Sequence, residues 1–154
     1  MLSYRVVEPV YLINFKTREK NSLVTEITAQ ALDTERFINE KAAEIKETVG
    51  DGWAINALSG GVDSSTVTLL GHRALGDRLK TVFIENGLMR AGEAEQVVGF
   101  FRDLGVPVEV VDAREAFFAA LKGVTDPEAK REAITQTFYR DVFGRLVRES
   151  GAKH

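Results

Sequence analysis

Two glycines set among hydroxyl side chains, in the run Ser59-Gly60-Gly61-Val62-Asp63-Ser64-Ser65, are the part of this chain best suited to chemistry. An apolar stretch, Trp53 to Leu58, precedes the run, and a helix-like stretch, Ser64 to Leu75, follows it. At such a strand-to-helix turn glycine permits torsions and close approaches that a Cβ would block. The first amides of the following helix lack carbonyl partners and are positively polarised, so they can hold an anion. Ser59, Ser64 and Ser65 add short hydroxyl donors. Asp63 repels phosphate unless a cation lies between them, and Mg²⁺ is a hard cation that would remove the conflict. The run therefore predicts a phosphate-gripping turn, against the plainer alternative of a Gly-Ser turn that caps a helix.

Such a turn must be placed by the elements around it. Asp33-Thr34 opens a predicted helix in which Ile38, Ala42, Ile45 and Val49 share one face, and Gly50-Asp51-Gly52 ends it. Ala54 to Leu58 predicts a buried strand. After the turn, Val67, Leu70, Ala74 and Leu75 are expected to form the inner face of a helix stopped by Gly76. Thr81 to Ile84 predicts a second strand, followed by a turn at Glu85-Asn86-Gly87 and a helix from about Gly92 to Leu104, with Val97, Val98, Phe101 and Leu104 on one side. Gly105 and Pro107 end it before a third strand, Val108 to Val111. A short helix carries Phe117, Phe118 and Leu121, and Thr125-Asp126-Pro127-Glu128 starts a long one, with Ile134, Phe138, Val142 and Leu146 as its apolar stripe.

Strands alternating with helices imply an α/β fold with right-handed crossovers and a parallel sheet covered on both faces. Ligands of such sheets bind at the carboxyl ends of the strands, where the Ser59 to Ser65 turn falls. Glu85-Asn86-Gly87 and the segment after Val111 are expected to be further walls of that pocket. Residues 1–32 differ in pattern: Tyr4 to Phe15 is apolar but contains Pro9, which predicts an edge strand or extended arm ahead of a domain covering 33–154.

Composition narrows the chemistry. The net charge of −3 gives no general attraction to nucleic acid, and no apolar run approaches a membrane span, so a soluble cytoplasmic domain is expected. Absence of cysteine rules out a persulfide relay or cysteine-held zinc within these residues, and two histidines, His72 and His154, are too few for an imidazole metal cluster. His72 is expected at the surface or at a helix end.

The string S-G-G-x-D-S-[ST] is neither a Walker A loop, which requires lysine, nor a dinucleotide fingerprint. It resembles the PP-loop of the N-type ATP pyrophosphatases, and so implies an adenine nucleotide alpha hydrolase-like, Rossmann-like three-layer sandwich. From Thr34 onward the resemblance narrows to the ATP pyrophosphatase domain of GMP synthetase. It is carried by Phe37-Ile38, Val49-Gly50-Asp51, Ala57 to Ser65, Val82-Phe83-Ile84-Glu85-Asn86-Gly87-Leu88-Met89-Arg90, Gly92 to Glu95, Phe101-Arg102-Asp103, Val111-Asp112-Ala113 and Leu121 to Arg131. The last string is similar to that family's mobile lid.

The resemblance implies ATP and Mg²⁺ as cofactors and xanthosine monophosphate (XMP) or a related small molecule as acceptor. It also implies a glutamine amidotransferase as ammonia source, with a homo-oligomer as one arrangement. By position, Ser59, Gly60, Gly61, Val62, Asp63, Ser64, Ser65 and Ile84 would bind ATP. Asp63, Lys130 and Asp126 would act in catalysis, and Asp63 would meet the metal, in part through the phosphates. Arg90, Asp126, Glu128, Lys130 and Arg131 would form the lid and substrate contacts. Glu85 stands where the family has Asp, and Glu132 and Thr135 where a basic residue and a glycine are usual. The family's domain also continues past Ala152-Lys153-His154, so an incomplete domain is expected that acts with further segments or a partner. A non-catalytic ATP- or AMP-binding module and another PP-loop amidating ligase are the alternatives.

Overall fold

The computed structural model describes residues 33–154, so the arm expected over residues 1–32 lies outside the described residues. Asp33 accepts the Arg36 amide at 2.9 Å and starts α1 (Thr34–Val49), whose Ile38, Ala42, Ile45 and Val49 are all partly buried, as their spacing predicts. Strand β1 (Ala54–Leu58) leads into α2 (Val62–Leu75), a short 3₁₀ turn and β2 (Leu79–Glu85). Then follow α3 (Glu93–Asp103), β3 (Val108–Asp112), α4 (Arg114–Leu121) and α5 (Pro127–Gln136). A π-helical turn (Thr137–Phe143) joins α5 to α6 (Gly144–Ser150).

The strands of the described residues are parallel, in the order β1-β2-β3. Registers run from Ala54↔Leu79 to Leu58↔Phe83, and from Thr81↔Val108 to Glu85↔Asp112. Side-chain alternation splits the sheet into two covered faces. On one, Ile55, Val82 and Ile84 pack with Ala113, Phe117, Val142 and Leu146 from the α4 and π/α6 side. On the other, Leu58 and Phe83 pack with Ala94, Val98 and Phe101 of α3, while Ala54 and Leu79 pack with Leu75 of α2 and Ile45 and Val49 of α1. This is the three-layer α/β sandwich with a parallel sheet that the alternating pattern predicts. Beyond β1, the Ile55 amide donates to the His154 carbonyl at 2.9 Å. Chain therefore lies on both sides of β1 near its start.

Three expectations change. The long helix predicted from Asp126 is not uniformly α-helical. Its stripe, Ile134, Phe138, Val142 and Leu146, repeats every fourth residue, which overshoots an α-turn by about 40° per step. The wider π turn absorbs that drift and keeps all four side chains on the same core. The inner face of α2 is Thr68, Gly71 and Leu75, whereas Val67 is 45% exposed. On α3, Leu104 is 50% exposed, and Ala94, Val98 and Phe101 form the buried stripe.

Candidate functional site

The turn after β1 is tighter than its residues suggest, because α2 begins at Val62, with Gly61 as an N-cap that supplies no side-chain acceptor. Ser65 N–H bonds the Gly61 carbonyl at 3.0 Å, and the amides of Val62, Asp63 and Ser64 have no partner among the described residues. Three polarised donors at the start of a 14-residue helix are a set able to hold an anion. Ser64 ties the turn together. Its Oγ donates to the Gly61 carbonyl at 3.1 Å, accepts the Ser59 amide at 3.2 Å and lies 2.9 Å from Ser59 Oγ. Gly60 has φ +80°, and a Cβ there would sit 2.6 Å from Val97 Cγ2, so α3 backs the turn at a distance only glycine allows.

Asp63 lies in the first helical turn and is exposed. Among the described residues no three His, Cys, Asp or Glu side chains are grouped to hold a metal. The exposed Asp63 carboxylate is the kind of oxygen donor a hard cation such as Mg²⁺ would take. His72 occupies the last turn of α2, half-buried, with Nδ1 shielded and without a partner among the described residues.

At the end of β2, Glu85 accepts the Gly87 amide at 2.8 Å and Asn86 accepts the Leu88 amide at 2.8 Å, two local bonds that fold the chain back. Gly87 has φ +73° and packs against Phe118, where a Cβ would come within 2.5 Å of Cζ. The Ala113 amide donates to the Glu85 carbonyl at 2.9 Å and so joins the ends of β2 and β3. Next to it, Asp112 accepts Arg114 Nε at 2.9 Å and Nη2 at 2.5 Å, and this bidentate pair holds the Asp112 carboxyl down at about 2 and raises the Arg114 guanidinium. The three strand ends are thus adjacent, as the topology predicts. Ile84 is different: its side chain is 3% exposed and committed to the core on the face covered by α4 and α6.

The segment expected as a lid is exposed over residues 125–132 and internally paired. Asp126 caps α5 by accepting the Ala129 amide at 2.8 Å, with Pro127 in the first helical position. Arg131 pairs with Glu128, and Lys130 has no side-chain partner among the described residues. Arg90 lies ahead of α3, its amide donating to Glu93 Oε2 at 3.0 Å and its side chain exposed. A groove of about 1020 Å³ opens between α4 and the π turn, lined by Asp112, Arg114, Phe118, Lys122, Asp141 and Arg145. No residue of the Ser59 to Ser65 turn lines it.

Beneath the turn runs a polar chain that sequence inspection passes over. Thr81 Oγ1 donates to Asn56 Oδ1 at 2.8 Å, Asn56 Nδ2 donates to Thr68 Oγ1 at 2.7 Å, and Thr68 Oγ1 donates to the Ser64 carbonyl at 2.7 Å. Thr68 is fully buried and Thr81 is 3% exposed. The one available signal is the polar Asn56 in a strand that otherwise reads as apolar.

Several known proteins are similar to this chain. The sequence model of the NAD synthase family, described as NAD synthase, matches residues 32–139. One of the subunits of the glutamine-hydrolyzing GMP synthase of Pyrococcus furiosus is 55% identical over 121 residues, which are 78% of this chain and 38% of that protein. Glutamine-hydrolyzing GMP synthase of Aquifex aeolicus is 54% identical over 113 residues, covering 73% of this chain and 22% of that protein. The chain thus spans less than half the length of these curated relatives. An NH3-dependent NAD synthetase from Campylobacter jejuni superimposes with a TM-score of 0.59 at 20% identity, over 75% of this chain and 54% of that one, a likeness of fold. The resemblance to GMP synthetase drawn from the motifs is borne out by these relatives. Because the matched span runs from the residue before the α1 cap into the π turn and takes in β1, β2, β3 and the whole Ser59 to Ser65 turn, the chain belongs to the NAD synthase family.

Proposed function

We propose that this chain supplies the ATP pyrophosphatase site of a glutamine-hydrolysing GMP synthase. The observation that carries the reading is the set of three amides at Val62, Asp63 and Ser64, within the Ser59 to Ser65 turn, that have no partner among the described residues. The identity to GMP synthases supports the acceptor. In the proposed reaction the C2 oxygen of XMP attacks the α-phosphorus of ATP. A new oxygen–phosphorus bond forms, and the bond from the α-phosphorus to the bridging oxygen breaks. Pyrophosphate departs, and ammonia then displaces AMP to leave GMP.

The residues divide that work by chemistry. Negative charge grows on the departing pyrophosphate, and fixed amides and hydroxyls aimed at it cost no reorganisation as it forms, so Ser59, Gly60, Gly61, Val62, Ser64 and Ser65 favour the transition state as well as the bound nucleotide. Mg²⁺, when bound, supplies charge neutralisation on the phosphate oxygens. Asp63 is the protein carboxylate placed to orient it. Ile84 can meet a nucleotide base only through its backbone, since its side chain is enclosed. Lys130, exposed on the first turns of α5 and without a side-chain partner among the described residues, is the cation of this segment that would meet a substrate phosphate, whereas Asp126 and the Glu128–Arg131 pair hold the helix start in shape. Arg90 is exposed and open to contact with the acceptor. A glutamine amidotransferase partner is the proposed source of ammonia.

Calorimetric titration with Mg²⁺ and a non-hydrolysable ATP analogue tests the reading, with Asp63→Ala in parallel and XMP added afterwards. Saturable binding that Asp63→Ala weakens, followed by XMP binding, is expected. Nucleotide binding with no response to XMP would replace the reading by a nucleotide-binding module. A folded chain that binds no nucleotide would overturn it.

A further inference from the structure

We propose that Thr81, Asn56 and Thr68 form a positioning chain that sets the aim of the phosphate turn, an inference that rests on the function proposed above. Each step has a defined direction: hydroxyl to amide oxygen, amide nitrogen to hydroxyl, hydroxyl to the Ser64 carbonyl. The chain starts on β2, crosses β1 and ends on the first turn of α2. Its last acceptor belongs to the residue whose side chain closes the turn, because Ser64 Oγ holds both the Ser59 amide and the Gly61 carbonyl. Any movement of the Ser64 backbone therefore moves both ends of the turn at once.

Apolar packing alone would not give this control. Methyl contacts hold a helix at a distance from a sheet, but they are non-directional and allow it to roll or slide. Hydrogen bonds resist that motion because they weaken steeply off axis. On the same face of α2, Gly71 lets Leu79 approach so closely that a Cβ would lie 2.9 Å from Cδ2. Thr68 and Gly71 together pin α2 at short range, with Thr68 fixing its rotation. Burying Thr68 and Thr81 is tolerable because Thr68 Oγ1 both accepts and donates and Thr81 Oγ1 donates, so loss of one member leaves a neighbour short of a partner. The amides of Val62 to Ser64 thereby keep one orientation before any ligand arrives.

Thr68→Val keeps the shape and removes the hydroxyl, and Thr68→Ser keeps the hydroxyl. In the free chain, NMR hydrogen exchange at the Ser65 amide, which bonds Gly61, is expected to accelerate about tenfold in Thr68→Val, as for loss of one ordinary hydrogen bond, and to stay within about twofold in Thr68→Ser. Affinity for the Mg²⁺ complex of a non-hydrolysable ATP analogue is expected to fall about tenfold in Thr68→Val, with AMP affinity unchanged. Equal exchange in both variants, or equal weakening of ATP analogue and AMP, would overturn the proposal. If the parent chain binds no nucleotide, the function reading fails, while the exchange contrast still decides the positioning role. Should Thr68→Val not fold, Asn56→Leu, read by the same exchange measurement, decides it.

Discussion

Replacing Gly60 with alanine probes the contact by which α3 backs the phosphate turn. At φ +80° an L-residue costs about 1–2 kcal/mol from the clash of Cβ with its own backbone. The new methyl would also lie 2.6 Å from Val97 Cγ2, and such overpacking costs about 1–3 kcal/mol. Gly60→Ala should thus destabilise the chain by about 2–5 kcal/mol. Val97→Ala removes the obstructing methyls, at a cost of about 1 kcal/mol for a half-buried side chain. In that background Gly60→Ala should cost only the backbone share, about 1–2 kcal/mol, leaving a coupling of about 1–3 kcal/mol between the two sites. Urea unfolding of the four proteins, with midpoints compared at a common slope, measures the cycle. Equal cost of Gly60→Ala in both backgrounds would refute the buttress, and a neutral Gly60→Ala would refute the strain argument as well.

Gly144→Ala should lower stability by about 1–3 kcal/mol despite alanine's helix preference, because its Cβ would lie 2.8 Å from the Tyr139 carbonyl in the π turn; an unchanged thermal midpoint would show that the turn relaxes to α-helix. The Asp112 carboxyl should titrate near pH 2 by NMR and return to about 4 in Arg114→Met. Since its folded value is depressed, the stabilisation is present above about pH 4 and is lost as pH falls toward 2. Asp126→Ala should cost about 1 kcal/mol through loss of the α5 cap, with faster exchange confined to the first turn of that helix.

The legible parts of this protein are those with local causes. Asp33 and Asp126 announced helix starts because a cap needs only a short polar side chain three residues from an amide. Gly76 and Gly105 closed their helices through positive φ, and the Ser59 to Ser65 run was readable as a strand-to-helix turn from its glycines and hydroxyls. Thr68 gave no signal of its own, because a threonine on a helix face points to burial only when its hydroxyl partner is known, and that partner, Asn56, lies twelve residues away. Ile84 seemed available to a ligand from its place at a strand end, yet pleating turns its side chain into the core. The π turn was foreshadowed by a four-residue repeat, but its cause is the flat apolar face that α5 and α6 must keep covering.

By itself, then, the sequence determined the order of the elements, the parallel α/β class and the residue types gathered in the phosphate turn, since periodicity, caps and glycine torsions act within a few residues. Only the tertiary structure decided how that turn is held: Val97 against Gly60, Leu79 against Gly71, and Thr81 bonded to Asn56 across 25 residues of chain. Those contacts join segments whose approach depends on the packing of the whole sheet, so no local pattern of residues encodes them.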